Sequence, residues 1–276
     1  MLASQRIFPA RLEWPAAVGN IDDVPRNTTR LRLISKAVKF EKLVEFEDLS
    51  ELWCFGIDHK KLEYISRCKS LRHLYLDYNL RTGDLTPLRN LPLLEVLRLD
   101  SCSKINSLDQ VAELTQLTGL AIENFKNLHD ITPLSALINL KELAIDGSIW
   151  TRMKLESLKP IANLEKLELL SLTNTKVADE SLEPLQRLAN LKELILANFY
   201  PVAEFAKLSA KLPHCDCQWF KPFITTTLRC EKCGSNTRIM LSGKGTSMIC
   251  GNCDAARLSR HVNEFQRVKD LASAGI

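Results

Sequence analysis

Two C-x-x-C pairs stand near the C-terminus, Cys230 with Cys233 and Cys250 with Cys253, separated by sixteen residues. Thiolates at i and i+3 can be aimed at one ion by a tight turn. Two such turns supply the four sulfur ligands of a closed structural Zn²⁺ site. Gly234, directly after the first pair, permits the backbone conformation that the turn needs. Redox chemistry would use the same thiols, but a redox C-x-x-C is expected beside a βαβ unit and none surrounds these pairs. One structural Zn²⁺ on Cys230, Cys233, Cys250 and Cys253 is therefore the cofactor expected. Four thiolates on a divalent ion leave a charge of about −2, and Arg229, Lys232, Arg238 and Lys244 lie near enough in sequence to offset it.

The segments around these pairs must position them. "TRIML" and "TSMIC" read as strands joined at Ser242-Gly243-Lys244-Gly245, a hairpin signal. After Cys253 the apolar residues Leu258, Val262, Phe265 and Val268 recur at helical spacing, with Asp254 as the expected N-cap. "GKGT" at 243–246 lacks the first glycine of a P-loop and is read as the hairpin turn. A fold of about fifty residues has too little core without a staple, and a metal provides one. This order of knuckle, hairpin, second pair and helix resembles a treble-clef zinc finger, with a zinc ribbon plus an appended helix as the alternative.

Most of the remaining chain is repetitive. "LRHLYLDYN" from Leu71 aligns with "LEVLRLDSC" from Leu94, "LTGLAIENF" from Leu117, "LKELAIDGS" from Leu140, "LELLSLTNT" from Leu167 and "LKELILANF" from Leu191. Heads at Thr28 and Leu49 precede them, and Leu212 is read as a ninth. The first eight heads are spaced by 21, 22, 23, 23, 23, 27 and 24 residues. Each closes a period-three apolar run, such as Leu85, Leu88, Leu91 and Leu94, which suits a 3₁₀ or short helical return. Pro87, Pro133, Pro160 and Pro184 fall where such a return begins, where a missing N–H costs little.

This pattern resembles the leucine-rich repeat family, in its short class of roughly 22 residues found in internalins and in a protein-phosphatase regulator. The resemblance covers residues 28–219. It implies an α/β solenoid, a horseshoe of about nine parallel strands roughly 40 Å across. It also implies a surface that binds proteins. The family's ninth-position Asn is present at Asn79, while Cys102, Phe125, Ser148, Thr175 and Phe199 replace it elsewhere, so the usual buried Asn ladder is expected to be weak or replaced. The register also disposes of five cysteines. Cys54, Cys215 and Cys217 take inward positions, Cys68 a return turn and Cys102 the Asn position, all as small buried hydrophobes. "HCDC" at 214–217 is then core rather than metal site, with His214 facing the concave surface.

By alternation along each strand, two rows face the concave side. One contains Trp53, Tyr75 and Arg98, then Ala121, Ala144 and Ser171; the other contains Phe55, Asp77, Asp100, Glu123 and Asp146, with Tyr78 at the strand edge. Stacked carboxylates repel, so the acidic row is expected either to be solvated or to hold a cationic partner. Trp53, Phe55, Tyr75, Asp77, Tyr78, Arg98, Asp100, Glu123 and Asp146 are thus the candidate partner-binding residues, for a basic or Arg-rich protein segment. The longer repeat at 147–154 carries Trp150 and Met153, read as folding onto the core rather than projecting from the rim.

Hydrophobic residues make up 45% of the 276 and charged residues 25%, a globular ratio that argues against disorder. No run is long enough to span a membrane, and "MLASQRIFPARLEWP" has no apolar core of a secretory signal. A cytoplasmic location, reduced cysteines and no membrane partner are expected, and the sequon at Asn27 is read as chance. Residues 218–276 carry nine Lys and Arg against four Asp and Glu, a net of +5 in a chain of +4. Lys232, Arg238, Lys244, Arg257, Arg260 and Arg267 are the residues that would meet phosphates if this end bound nucleic acid. The five histidines lack an acid or thiol partner at catalytic spacing, so no enzyme is expected. The organisation expected is a cap at 1–27, repeats at 28–219, a linker at 220–227 and a zinc module at 228–276. The functional expectation is a protein-binding scaffold or adaptor whose zinc module recruits a second partner. Nucleic-acid binding and a ubiquitin-ligase-like recruiting role are the alternatives.

Overall fold

The structure is a computed structural model and describes residues 6–8, 13–78 and 80–275. Asn79, the family-type Asn, and Leu12, expected in the cap, lie outside the described residues. In chain order the strands are β1 (Val18–Asn20), β2 (Arg30–Val38), β3 (Glu51–Phe55), β4 (His73–Asp77), β5 (Val96–Asp100), β6 (Gly119–Glu123), β7 (Glu142–Asp146), β8 (Met153–Leu155), β9 (Leu169–Leu172), β10 (Thr175–Val177), β11 (Glu193–Leu196), β12 (Phe223–Thr225), β13 (Arg238–Leu241) and β14 (Met248–Cys250). The helices are α1 (His59–Ile65), α2 (Asp109–Ala112), α3 (Val202–Lys211) and α4 (Ala255–Ser273).

Nine strands form one sheet in the order β1-β2-β3-β4-β5-β6-β7-β9-β11, all parallel. The register places one leucine of each repeat beside that of the next: Leu31, Leu52, Leu74, Leu97, Leu120, Leu143, Leu170 and Leu194. A single strand and return cannot bury these side chains, and stacking makes one continuous core from them. The chain returns through α1, α2 and α3 and through 3₁₀ turns, four of which open with the expected prolines. β8 and β10 add a two-stranded parallel ribbon beside the main sheet.

The sheet has the expected number of strands, but its membership differs at both ends. The ninth head, Leu212, leads to a single bridge between Asp216 and Glu193 rather than a strand. β1, from the segment expected as a cap, completes the nine. Residues 220–227, expected as a linker, contain β12, which pairs with β13. Phe265 and Val268 of α4 belong to the same core as the repeat leucines, and α4 packs along α3.

All five non-motif cysteines are buried. Burial pushes the thiols of Cys68, Cys215 and Cys217 up to about 12, which leaves them protonated. The missing Asn ladder is replaced in two repeats: Cys102 Sγ donates to the Thr82 carbonyl at 3.3 Å, and Thr175 Oγ1 to the Ile145 carbonyl at 2.7 Å. Each satisfies a backbone carbonyl of the preceding repeat.

Candidate functional site

The four motif cysteines converge. The first knuckle lies between β12 and β13, and the second links β14 to α4. Their four sulfurs all lie within 4.8 Å of one another. Cys230 Sγ is 3.9 Å from Cys253 Sγ, and Cys233 Sγ is 3.6 Å from Cys250 Sγ. A tetrahedral ion with metal–sulfur bonds of about 2.3 Å needs sulfurs about 3.8 Å apart. A disulfide needs about 2.05 Å. The cluster therefore fits one four-coordinate metal ion and not a pair of disulfides.

Local hydrogen bonding builds each knuckle. Gly234, with φ of +71°, donates to the Cys230 carbonyl at 2.9 Å, and Cys230 N–H donates to Ser235 at 2.8 Å. Asp254 does not cap α4 with its side chain as expected; Oδ2 turns back and accepts from Cys250 N–H at 3.1 Å, bracing the second knuckle. Hydroxyl and backbone donors favour thiolates here. The backbone N–H of Cys253 and the Thr237 hydroxyl hold the Cys250 thiol down to about 5, and Ser235 lowers that of Cys233. Cys253, beside these sulfurs, is pushed up to about 12. Of the cations expected to offset the cluster, Lys244 instead pairs with Glu180 of the solenoid.

The concave face differs from the sequence expectation in one respect that changes its chemistry. The chain's own N-terminal residues lie on it. Ile7 is fully buried, and with Trp14 it packs on Trp53, Tyr75, Val96, Ala121, Ala144 and Leu169. Tyr75 Oη donates to the Arg6 carbonyl at 2.9 Å. The Arg6 guanidinium donates to Thr118 at 2.7 Å and pairs with Glu142 at 3.5 Å. Trp14 meets Trp53 and Tyr75 edge-on, each at 5.3 Å, with Arg30 over its ring at 4.3 Å. Trp53 and Tyr75, expected as exposed aromatics, are therefore covered.

The acidic row, expected either to be solvated or to hold a cationic partner, is mostly buried. Asp77, Asp100 and Asp146 are buried, and a cation within the chain, Arg98, serves Asp77 and Glu123. Arg98 Nε donates to Asp77 Oδ1 at 3.0 Å and Arg98 Nη2 to Glu123 Oε2 at 2.7 Å, while Trp53 Nε1 donates to Asp77 Oδ2 at 2.8 Å. Burial raises the carboxyls of Asp77 and Glu123 and Arg98 opposes it. Burial pushes Asp146 up to about 6, against hydrogen bonds from Thr173 N–H at 2.6 Å and Ser171 Oγ at 2.9 Å. These partners remove the physical reason for expecting a basic ligand.

What is left open is a cleft of about 580 Å³ at the N-terminal end of the concave face, lined by Arg32, Ile34, Trp53, Phe55, Asp77, Tyr78 and Arg98 among others. Trp53, Phe55 and Tyr78 stack at 5.7 and 5.8 Å with their planes within 25° of parallel, and Arg32 lies 4.7 Å over Trp53. Tyr78, at 66% exposure, carries this stack into solvent.

Two sets of residues were missed by sequence reasoning. Arg6 and Ile7 were signalled by the small concave residues Gly119, Ala121, Ala144 and Ser171, a hollow that requires filling. Asn198 clasps the C-terminal hairpin, donating to the Leu241 carbonyl at 2.9 Å and accepting from Gly243 N–H at 2.7 Å. It occupies the position where Tyr78, Ser101, Asn124 and Asn174 adopt positive φ, a recurrence visible as polar residues just after each strand.

No family model matches the chain, and no curated protein matches it. Among solved structures it is similar to internalin C2 from Listeria monocytogenes, at 25% identity over 65% of this chain and 73% of that one, with a TM-score of 0.47. It is also similar to a second internalin from that organism, at 17% identity over 69% and 66%, TM-score 0.43. A leucine-rich repeat protein from Leptospira interrogans gives 18% identity over 64% and 56%, TM-score 0.36.

Proposed function

We propose that the chain is a non-enzymatic binding scaffold that takes a protein segment into the cleft beside its own N-terminal residues. The observation that carries this is the aromatic stack Trp53–Phe55–Tyr78, buried at one end and 66% exposed at Tyr78. Exposed aromatic surface beside a concave cleft is the usual material of interface hot spots. With Asp77 and Glu123 already engaged by Arg98, the favoured ligand group is apolar or aromatic rather than basic. Peptides selected from a random library against the full chain test this. They are expected to lose ten-fold or more in affinity on Tyr78→Ala, about the 1.4 kcal/mol of a modest hot spot. Selected peptides that bind Tyr78→Ala and Phe55→Ser unchanged refute it.

The same reading assigns one structural zinc ion to Cys230, Cys233, Cys250 and Cys253. A bound metal there would supply folding free energy to a three-stranded sheet whose own apolar cluster is small, Ile239, Leu241 and Ile249. Through Asn198, Lys244 and α4 that stabilisation reaches the last repeats. In this role the module closes the open end of the solenoid, which repeat proteins need.

A further inference from the structure

The long repeat places Trp150 and Met153 oppositely. Met153 is buried, as expected, whereas Trp150 is 90% exposed and Ile149 87%. The tip is held in place. A Cβ on Gly147 would fall on the carbonyls of Asn174 and Thr151. Ser148 Oγ accepts from Thr151 N–H at 2.9 Å, and Asn174 Nδ2 donates to the Ser148 carbonyl at 2.6 Å. A closely packed base therefore presents two consecutive large apolar side chains outward.

The edge that carries this tip is cationic. Segments 80–83, 101–105, 124–128, 147–155 and 173–178, one from each of five consecutive repeats, contain Arg81, Lys104, Lys126, Arg152, Lys154 and Lys176 and no Asp or Glu. All six are exposed, and none enters an ion pair among the described residues. Lys154 and Lys176 are direct neighbours in the β8–β10 register, a like-charge pairing that is unfavourable in the free protein. Arg152 and Lys176 both lie over Phe199, at 4.5 and 5.8 Å. At about 4.8 Å per repeat the stripe is roughly 20 Å long. Carboxylates flank it without joining it. On the concave side Asp77, Asp100 and Asp146 are buried and Glu123, partly exposed, is paired with Arg98; Asp84, Asp130, Glu156 and Asp179 lead toward the return turns, and Asp179 accepts from Ser157 and Ser181.

We propose that this edge docks peripherally on an anionic lipid bilayer, with Ile149 and Trp150 inserted at the headgroup level and the cations on the lipid charges. A convex apolar tip finds burial in the interfacial zone without a tailored pocket, and Trp favours that depth. A straight stripe of cations matches a diffuse anionic plane. A single strand of nucleic acid asks for several stacking rings and has no use for Ile149. No helix among the described residues is long and apolar enough to cross a membrane, and this contact needs none.

The test is co-sedimentation of the full chain with vesicles of phosphatidylcholine, with and without about one-third phosphatidylserine, in about 0.01 M salt. Tryptophan emission is a local reporter, because Trp14, Trp53 and Trp219 are buried and Trp150 is not. Binding to the anionic vesicles with a blue shift is expected. Ile149→Ser/Trp150→Ala should remove the shift and lower partitioning about ten-fold. Lys154→Glu/Lys176→Glu should lower it about 25-fold or more, near five-fold per cation. All four positions are exposed, so both variants should fold, as circular dichroism will report. No binding to anionic vesicles overturns the proposal, as does binding that either variant leaves unchanged. A shift produced by a single-stranded oligonucleotide or by polyglutamate, but not by vesicles, also overturns it.

Discussion

Gly119→Val should lift the N-terminal residues off the concave face while leaving the leucine core intact. A Cβ at Gly119 would lie 2.8 Å from Ile7 Cγ2 and 3.3 Å from Val96 Cγ2, and two further methyl groups have no room beside them. If the segment stays, overpacking costs about 1–3 kcal/mol. If it lifts, burial of Ile7 is lost, about 1.5–3 kcal/mol, together with the Tyr75–Arg6 hydrogen bond at about 1 kcal/mol. The two outcomes are similar in energy and differ in place. Hydrogen exchange read by mass spectrometry separates them. Lifting accelerates the amides of residues 6–8, 13, 14, 16 and 17 by roughly ten-fold to a hundred-fold, at 1.4 kcal/mol per decade. Amides of β5, β6 and β7 should keep their protection, because their leucines face the other side of the sheet. Trp14 and Trp53 should become accessible to acrylamide. Acceleration that spreads through β5–β7 would show that the concave cluster and the leucine core are one cooperative unit, and the reasoning would be wrong. Unchanged exchange everywhere would show that Ile7 is not seated on Gly119.

Cys230→Ser should abolish the stoichiometric metal, one zinc ion, that elemental analysis is expected to find in the parent chain purified under reducing, chelator-free conditions. The same variant should speed exchange in β12–β14 and α4 before the first repeats are affected. Asp146→Asn should change how stability depends on pH. A carboxyl raised from 3.8 to about 6 in the folded state contributes stability that is present below the unfolded value and is lost as pH rises through the folded one. The parent chain should therefore gain about 2 kcal/mol relative to Asp146→Asn as pH falls from 6 to 4, measured as the difference between their urea midpoints. Asn198→Ala leaves the Leu241 carbonyl and Gly243 N–H without their partner and should destabilise the C-terminal hairpin by about 1–3 kcal/mol. That loss should appear as locally faster exchange in β13 and α4.

How much of this was legible depended on whether a residue's environment comes from its own repeat. The period of 21 to 27 residues set the strands, the returns and their prolines, because every repeat buries its leucines against an identical neighbour. The same periodicity assigned Cys54, Cys68, Cys102, Cys215 and Cys217 to the core, where the structure has them. The spacing of Cys230, Cys233, Cys250 and Cys253 was equally local, since a knuckle is a property of five or six residues. The hairpin from β13 to β14 and the apolar face of α4 were local patterns of the same kind.

The concave face was not local. Its row of Trp53, Tyr75, Arg98, Ala121 and Ala144 could be written down from alternation alone. Whether those side chains met water depended on residues distant in the chain, because Trp14 reaches Trp53, and Arg6 reaches Tyr75 and Thr118, only once the strands are stacked. Arg98 was counted with one row and the carboxylates with the other, yet in three dimensions it bridges them. Trp150 and Met153, three residues apart on one loop, were given one fate by composition and two by packing, since a loop's inward side is decided by what lies beneath it. The sequence by itself determined the strands and returns of the central repeats and the two knuckles. Only the tertiary structure decided which surfaces stay open, because exposure depends on everything that packs nearby and not on the residue alone.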